Sequence, residues 1–255
     1  MRTGLRPAEE SVEHLREMLV AGNSCVVFTG AGISTESGIP DFRGPGGIWT
    51  KYRPIEFQEF LASKAAQREY WQRKFATHDA VVQAEPNQGH LAVAELVKRG
   101  QVSVVITQNI DGLHQASGIP ADRVIELHGN TTYAHCLDCA REYDLEPIRQ
   151  AFLADEIIPV CELCGGAVKS ATISFGQAMP EAAMQRSNEE TRACDLFLAI
   201  GSSLTVFPAA GFPAVAKENG AGLVIINREP TGLDDLADLV IHAEIGPTLD
   251  AAVNP

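Results

Sequence analysis

The sequence predicts an α/β protein: a mostly parallel sheet with helices on both faces. Three observations carry this. Five short apolar runs, several rich in β-branched residues, recur along the chain: SCVVFTG (24–30), VSVVIT (102–107), RVIEL (123–127), DLFLAI (195–200) and GLVIIN (222–227). Continuous apolar character over so few residues suits strands buried on both faces of a parallel sheet. Helical patterns at 90–99, 181–193 and 208–219 precede the second, fourth and fifth runs, and strands alternating with helices fold as parallel crossover units. Two long stretches, 44–86 and 129–172, interrupt this rhythm.

In chain order, residues 8–21 read as an amphipathic helix with Val12, Leu15, Leu19 and Val20 on one face. The first apolar run leads straight into Gly30-Ala31-Gly32-Ile33-Ser34-Thr35. A strand followed by Gly-x-Gly lets the backbone approach a diphosphate, and the next helix can aim its N-terminal N–H groups at it. Thr35 stands where a dinucleotide fingerprint has its third glycine, and a lone Gly-x-Gly also makes an ordinary turn. Gly38 and Pro40 are expected to end that helix early, freeing Asp41, Phe42 and Arg43 for a loop over the site. The hydroxyls of Ser34 and Thr35 would donate to phosphate oxygens, and Arg43 would pair with a phosphate. Residues 44–86 are aromatic and charged without a strand signal, a helical excursion with helices near 56–61 and 66–83. Residues 129–172 read as short, irregular segments carrying four of the six cysteines. The expected division is therefore 1–43, 87–128 and 173–255 as a Rossmann-like nucleotide-binding domain, with 44–86 and 129–172 forming a smaller one.

The four cysteines are spaced C-x2-C-x21-C-x2-C, as Cys136, Cys139, Cys161 and Cys164. Two close pairs separated by a short module is the pattern of a tetrathiolate zinc ribbon, with a gap slightly above the usual roughly 15–20 residues. A redox pair is the alternative, but it should open a helix after a strand, and neither pair does so convincingly. Four thiolates close the metal's shell, so the zinc is expected to be structural. Gly165-Gly166 suits a tight knuckle after the second pair; Ala140-Arg141 after the first suits it less. Cys25 and Cys194 read as packing residues.

The chain has 255 residues, with 33 acidic against 20 Lys and Arg, a net charge of −13. That balance argues against wrapping nucleic acid or lying on an anionic membrane, and it leaves room for a lysine-rich partner. No apolar run approaches the roughly 18 residues of a membrane span, and the N-terminus lacks a secretory pattern. A cytoplasmic monomer without direct nucleic-acid binding is the expectation.

Further motifs end the remaining strands: TQNIDGLH (107–114), ELHG (126–129), GSSL (201–204) and Ile226-Asn227. Open α/β sheets bind ligands at these strand ends. Together with GAGISTESGIPDFR (30–43), this ordered set resembles the sirtuins, NAD-dependent protein deacylases, over about residues 8 to 250. Arg-Pro-Ile at 53–55 and YWQRKF at 70–75 are similar to the class II branch of bacterial-type sirtuins. The resemblance implies that the amide oxygen of an acyl-lysine attacks the nicotinamide ribose, nicotinamide leaves, and the acyl group passes to ADP-ribose, so that NAD is consumed.

It also implies residue roles. His128 would be the base for a ribose hydroxyl, a task that suits an imidazole. A lone histidine is usually structural, but the strand-end Leu-His-Gly context points the other way; His114 reads as structural. Asp111 would hold the nicotinamide carboxamide and Asn109 the ribose or a water, with Gln108 and Ile110 beside them. Gly201, Ser202 and Ser203 would bind the diphosphate or adjacent ribose, and Asn227, Arg228 and Glu229 the adenosine ribose, although Ser and Asn at such places also simply cap and turn.

The peptide would add as a strand between Ile173-Ser174-Phe175-Gly176-Gln177 and Leu204-Thr205-Val206-Phe207. Gln177 replaces the family's usual Glu. Tyr70 and Arg73, at i and i+3, resemble the pair that grips acidic acyl groups in desuccinylating sirtuins; in the competing reading Tyr70, Trp71 and Phe75 are core and Arg73 is surface. A mono-ADP-ribosyltransferase and a non-catalytic NAD sensor are the rival functions. Intact Asn109, Asp111 and His128 argue against the sensor.

Overall fold

The computed structural model describes residues 8–42, 47 and 52–254. Strands β1 (Cys25–Thr29), β2 (Val102–Thr107) and β3 (Val124–Glu126) build one half of a parallel sheet. Three strands then leave it: β4 (Gly129–Cys136), β5 (Glu142–Asp144) and β6 (Val168–Thr172) form a separate antiparallel sheet in the order β5-β4-β6. The chain returns with β7 (Leu196–Ile200), β8 (Gly222–Ile226) and β9 (Leu239–Ile241), completing the order β3-β2-β1-β7-β8-β9. The order reverses between β1 and β7, the switch point at which such sheets form a ligand crevice.

Every residue of β1 and β7 is buried. Alternation sends Val27, Val105, Leu198, Ile200 and Val224 into one core and Val26, Phe28, Val104, Phe197 and Ile225 into another. Two cores explain why these strands carry no polar face. The first is covered by α1 (Glu9–Ala21) through Val12, Leu15 and Leu19, by α5 (Gln88–Lys98) and by α10 (Ile245–Val253). The second is covered by α9 (Phe212–Glu218), with Ala183 and Met184 of α8 (Glu181–Ala193) packed against it.

The excursion holds α2 (Phe57–Ala62), α3 (Lys64–Ala76) and α4 (His78–Val82). Trp71 and Phe75 of α3 share a core with Ala134, Cys136, Leu145 and Phe152 of the cysteine module, so the two interruptions of the sheet pack on each other. No helix among the described residues is long and apolar enough to cross a membrane.

Several elements differ from the sequence expectation. Val20 is 75% exposed, because it stands one residue, or about 100°, beyond Leu19 around the helix. The turn after β1 is a 3-10 helix, Ala31–Ser37, ended by Gly38 at φ 87°. The single helix expected over 66–83 divides at Thr77. Residues 129–172 are more ordered than expected: besides three strands they contain α7 (Leu145–Asp155). The pair β9 and α10 was not foreseen; β9 has only three residues and α10 carries Pro247 in its first turn.

Under the β1–β2 end of the sheet, His90 of α5 and His114 of α6 (Leu113–Ala116) are both buried, with ring centres 5.1 Å apart. His90 Nδ1 accepts the Asn87 N–H (3.4 Å) as half of a capping box, and His114 Nε2 bonds Thr29 Oγ1 (2.9 Å). Burial lowers His90 to about 4 and His114 to about 3 from the usual 6.5. The unfolded chain therefore takes up protons that the folded chain refuses, and stability is lost as pH falls below 6.5. Between pH 6 and 4 the slope approaches about 1.4 kcal/mol per pH unit for His114, while the share of His90 fades as the pH nears its folded value of about 4. Urea midpoints measured across that range should fall, and His114→Gln should flatten the fall; equal slopes in the two proteins would contradict this assignment.

Candidate functional site

The site begins where two backbones meet. The loop after β1 crosses the loop after β7, with Gly30 N–H donating to Ile200 O (3.0 Å) and Gly32 N–H to Gly201 O (2.8 Å). A Cβ on Gly30 would stand 2.7 Å from Gly201 O, and one on Gly32 2.7 Å from Gly201 Cα. Gly201 has φ 64°, and a Cβ there would stand 2.4 Å from Ile33 N. These glycines are needed first for the contact between the loops themselves. Ile33 points into the first core, fully buried, and Ala31 is half-buried.

Above this crossing, Ser34 joins residues from two motifs. Its hydroxyl donates to Asp111 Oδ2 (2.7 Å) and accepts from Asn109 Nδ2 (3.1 Å), which also reaches Gly30 O (3.2 Å). Asp111 Oδ1 accepts the Leu113 N–H (3.0 Å), and the Asn109 N–H donates to Thr107 Oγ1 (3.0 Å). The Thr35 hydroxyl donates to Gly32 O (2.9 Å). Both hydroxyl protons assigned to phosphate from the sequence are thus engaged within the protein, and Ser34 instead orients Asn109 and Asp111. No local pattern announces that link, which spans 77 residues.

His128 follows β3. Its Nδ1 lies 2.9 Å from Gln108 O. A carbonyl only accepts, so Nδ1 carries a proton, and in the neutral imidazole the lone pair is on Nε2. Gln108 in turn donates from Nε2 to Ser202 Oγ (2.8 Å), which also accepts the Leu204 N–H (3.2 Å). With its lone pairs so used, the Ser202 hydroxyl keeps one proton to donate. Ser203 is exposed, with its Oγ 3.0 Å from Thr205 Oγ1, and Ile110 O accepts the Thr131 N–H (2.8 Å).

A cleft opens beyond the 3-10 helix, with Thr35, Glu36 and Asp41 on one wall and Asn227, Arg228 and Glu229 on the other. Asn227 Nδ2 donates to Glu229 O (2.7 Å), and Arg228 pairs with Glu244 (2.7 Å). Glu36, absent from the sequence reading, accepts the Gly246 N–H (2.8 Å) and so caps α10. Phe42 is half-buried, while Arg43 lies outside the described residues.

On the other side of His128, Gly129 has φ 73°, and a Cβ there would collide with Ala171 O. Ile173 N–H donates to His128 O (2.8 Å), starting the segment 173–177 beside it. Gln177 Oε1 accepts the Ser174 N–H (3.1 Å) while Gln177 N–H donates to Ser174 O (3.0 Å), closing a turn with Phe175 and Gly176 at its tip. Phe175 and Phe207 are exposed, and Val206 is half-buried. Tyr70 bonds through its hydroxyl to Ser170 and to Thr172 Oγ1 (3.2 Å). Arg73 donates to Arg53 O (2.6 Å), pairs with Glu69 and lies over the Tyr52 ring.

The sulfurs of Cys136, Cys139, Cys161 and Cys164 all lie within 4.8 Å of one another, with Cys136 3.5 Å from Cys164 and Cys139 3.6 Å from Cys161. A tetrahedral zinc with Zn–S near 2.3 Å places its sulfurs about 3.8 Å apart, so this set fits Zn²⁺. The Tyr143 hydroxyl donates to Cys161 Sγ (3.1 Å), a bond that favours the thiolate form of that sulfur. Ala140 and Gly165 follow the two pairs at φ 59° and 76°. Both knuckles therefore turn the same way, although only one has the glycine.

Comparison with known proteins places this geometry. A Sir2 family profile matches residues 30–208. The chain is 57% identical over 249 residues to NAD-dependent protein deacetylase 1 of Bradyrhizobium diazoefficiens, covering 98% of both chains. It is 43% identical to NAD-dependent protein deacylase 2 of Archaeoglobus fulgidus, covering 96% of both. Among solved structures, a Sir2 bound to a p53 peptide and NAD+ superposes with a TM-score of 0.85 at 32% identity, over 93% of this chain and 95% of the other. A Sir2 histidine variant with deacetylated p53 peptide and 3'-O-acetyl ADP-ribose superposes at 0.86 with 33% identity, over 94% and 96%. The switch-point loops, the Asn109–Ser34–Asp111 cluster and the four-cysteine module thus belong to a member of the Sir2 family.

Proposed function

We propose that this protein is an NAD-dependent protein lysine deacylase that moves the acyl group of a modified lysine to ADP-ribose and releases nicotinamide. The observation that carries it is His128, fixed by Gln108 O with its lone pair on Nε2, beside the preassembled Asn109–Ser34–Asp111 cluster. NAD, when bound, supplies both the electrophilic ribose carbon and the hydroxyls that receive the acyl group.

The chain's own residues do the rest. Asp111 and Asn109 are oriented before any ligand arrives, so little reorganisation is required of them. The Asp111 carboxylate suits the amide N–H of a nicotinamide, and Asn109 suits a ribose hydroxyl or a water. His128 Nε2 takes the proton from a ribose hydroxyl as that oxygen becomes a nucleophile. Ser202 offers its hydroxyl proton to a diphosphate oxygen, and backbone N–H groups of the switch-point loops support it. Asn227, Arg228 and Glu229 receive the adenosine end. The relatives' names and the acetyl product in the Sir2 complex support acetyl-lysine as a substrate. The internal partners of Tyr70 and Arg73 favour a packing role for that pair over a grip on an acidic acyl group.

A peptide adds as a strand between segment 173–177 and Leu204–Phe207, with Phe175 and Phe207 as exposed apolar walls. Gln177 closes its turn with an amide oxygen, so the turn does not require the family's usual carboxylate. A net charge of −13 favours lysine-rich targets. The zinc held by Cys136, Cys139, Cys161 and Cys164 is structural: four thiolates leave no position for substrate.

Incubation with NAD and acetyl-lysine peptides should release nicotinamide and yield O-acetyl-ADP-ribose by mass spectrometry. ADP-ribose on protein without deacylated peptide would instead identify a transferase, and NAD binding without turnover a sensor. His128→Ala should lower turnover at least about 100-fold with an unchanged melting temperature; wild-type turnover in that variant would reject His128 as the base. Zinc should be present at about one per chain. Cys161→Ser or strong chelation should remove it and melt the three-stranded sheet, read as lost hydrogen-exchange protection over residues 129–172.

A further inference from the structure

Lys169 lies in β6 with no exposed surface, a rare place for a lysine. Among the described residues, Nζ donates to Thr172 O (2.5 Å) and stands 5.2 Å from the centre of the Tyr70 ring. An apolar side chain would fill this space without desolvating an amino group. The reason for Lys169 must be sought in the bond it makes.

That bond falls at a break in the sheet. Strand β4 pairs with β6 at Gly129↔Thr172 and again from Ala134↔Ser170, and between these points the register shifts. The backbone at Thr172 thus lacks continuous ladder support on this side. Here the Thr172–Ile173 peptide unit is held from both ends, its C=O by Lys169 Nζ and its N–H by His128 O (2.8 Å). The Thr172 side chain is held too, with Oγ1 3.0 Å from Ser170 Oγ and 3.2 Å from Tyr70 Oη. The next residues, 173–177, are the proposed peptide-binding segment.

We propose that Lys169 is a positioning residue for this site: by holding the Thr172 carbonyl it sets the substrate-binding strand against the backbone of His128. The inference rests on the deacylase reading, and it adds a determinant of peptide affinity that touches neither peptide nor NAD. Tyr70 belongs to the same device, since its ring covers Lys169 and its hydroxyl joins the Ser170–Thr172 pair.

The test is Lys169→Met, which keeps the length and removes the donor. Amide exchange over residues 172–177 should quicken roughly tenfold, while β1, β2 and β7 keep their protection. The KM for an acetyl-lysine peptide should rise about tenfold with the KM for NAD unchanged, because one strand moves and the nucleotide loops do not. Unaltered exchange over 172–177, or equal changes in both KM values, would overturn the proposal. Lys169→Arg, which keeps a donor but misplaces it, is read in the same way if the Met variant does not fold. Exchange reports on the clamp whether or not the protein turns over, so absence of nicotinamide release from the unmodified protein would remove the deacylase reading alone.

Discussion

The contact on which the site depends is backbone against backbone at the switch point. Two loops leave neighbouring strands β1 and β7 and approach so closely that Gly32 N–H reaches Gly201 O at 2.8 Å. No side chain beyond hydrogen fits on either strand of this crossing. An alanine at 30, 32 or 201 would force the loops apart, because the nearest atom in its way is backbone at each position. Separation would displace Ser34, which follows Gly32 by two residues, and Ser202, which follows Gly201 directly. Both anchor the polar chains that fix Asn109, Asp111 and Gln108.

Those polar chains share a property that bears on chemistry. Each buried hydroxyl or amide already has a partner before a ligand arrives, so few groups must be stripped of water or reoriented when one does. Ser34 holds a donor and an acceptor at once, and His128 has its tautomer chosen by a main-chain carbonyl. Preorganisation of this kind lowers the reorganisation needed at a site where charge develops. It also moves part of the site's requirement into the fold: Thr29 and Thr107, bonded to each other at 2.8 Å, stand between His114 and the Asn109 N–H.

The sheet was legible because its strands are buried on both faces and read as unbroken apolar runs, and the cysteine spacing was legible because a metal needs four donors at fixed intervals. The order of motifs was read from the resemblance to the sirtuins, and strand ends in an open sheet bring those motifs to one edge. What sequence could not supply were links between distant positions. Glu36 caps a helix 210 residues later, and Lys169 matters only beside a register shift. Short elements failed for a different reason. A three-residue strand such as β9 offers too few positions for a period, and its pairing with β8 decides its conformation.

The two sheets meet through main chain as well as through side chains. Gly129 follows His128, and the space where its Cβ would be is taken by Ala171 O, while His128 O takes the Ile173 N–H. The imidazole is therefore placed by the parallel sheet through Gln108 O, and its backbone by the antiparallel sheet through β6. A shift of β6 along its axis would bear on segment 173–177 and on the His128 backbone together, through the Ile173 N–H bond to His128 O. The core that the cysteine module shares with Trp71 and Phe75 of the helical excursion also takes in Val168 of β6. The four-cysteine set and the His128 backbone are thus joined through one core and two main-chain contacts, Gly129 against Ala171 O and Ile173 N–H on His128 O.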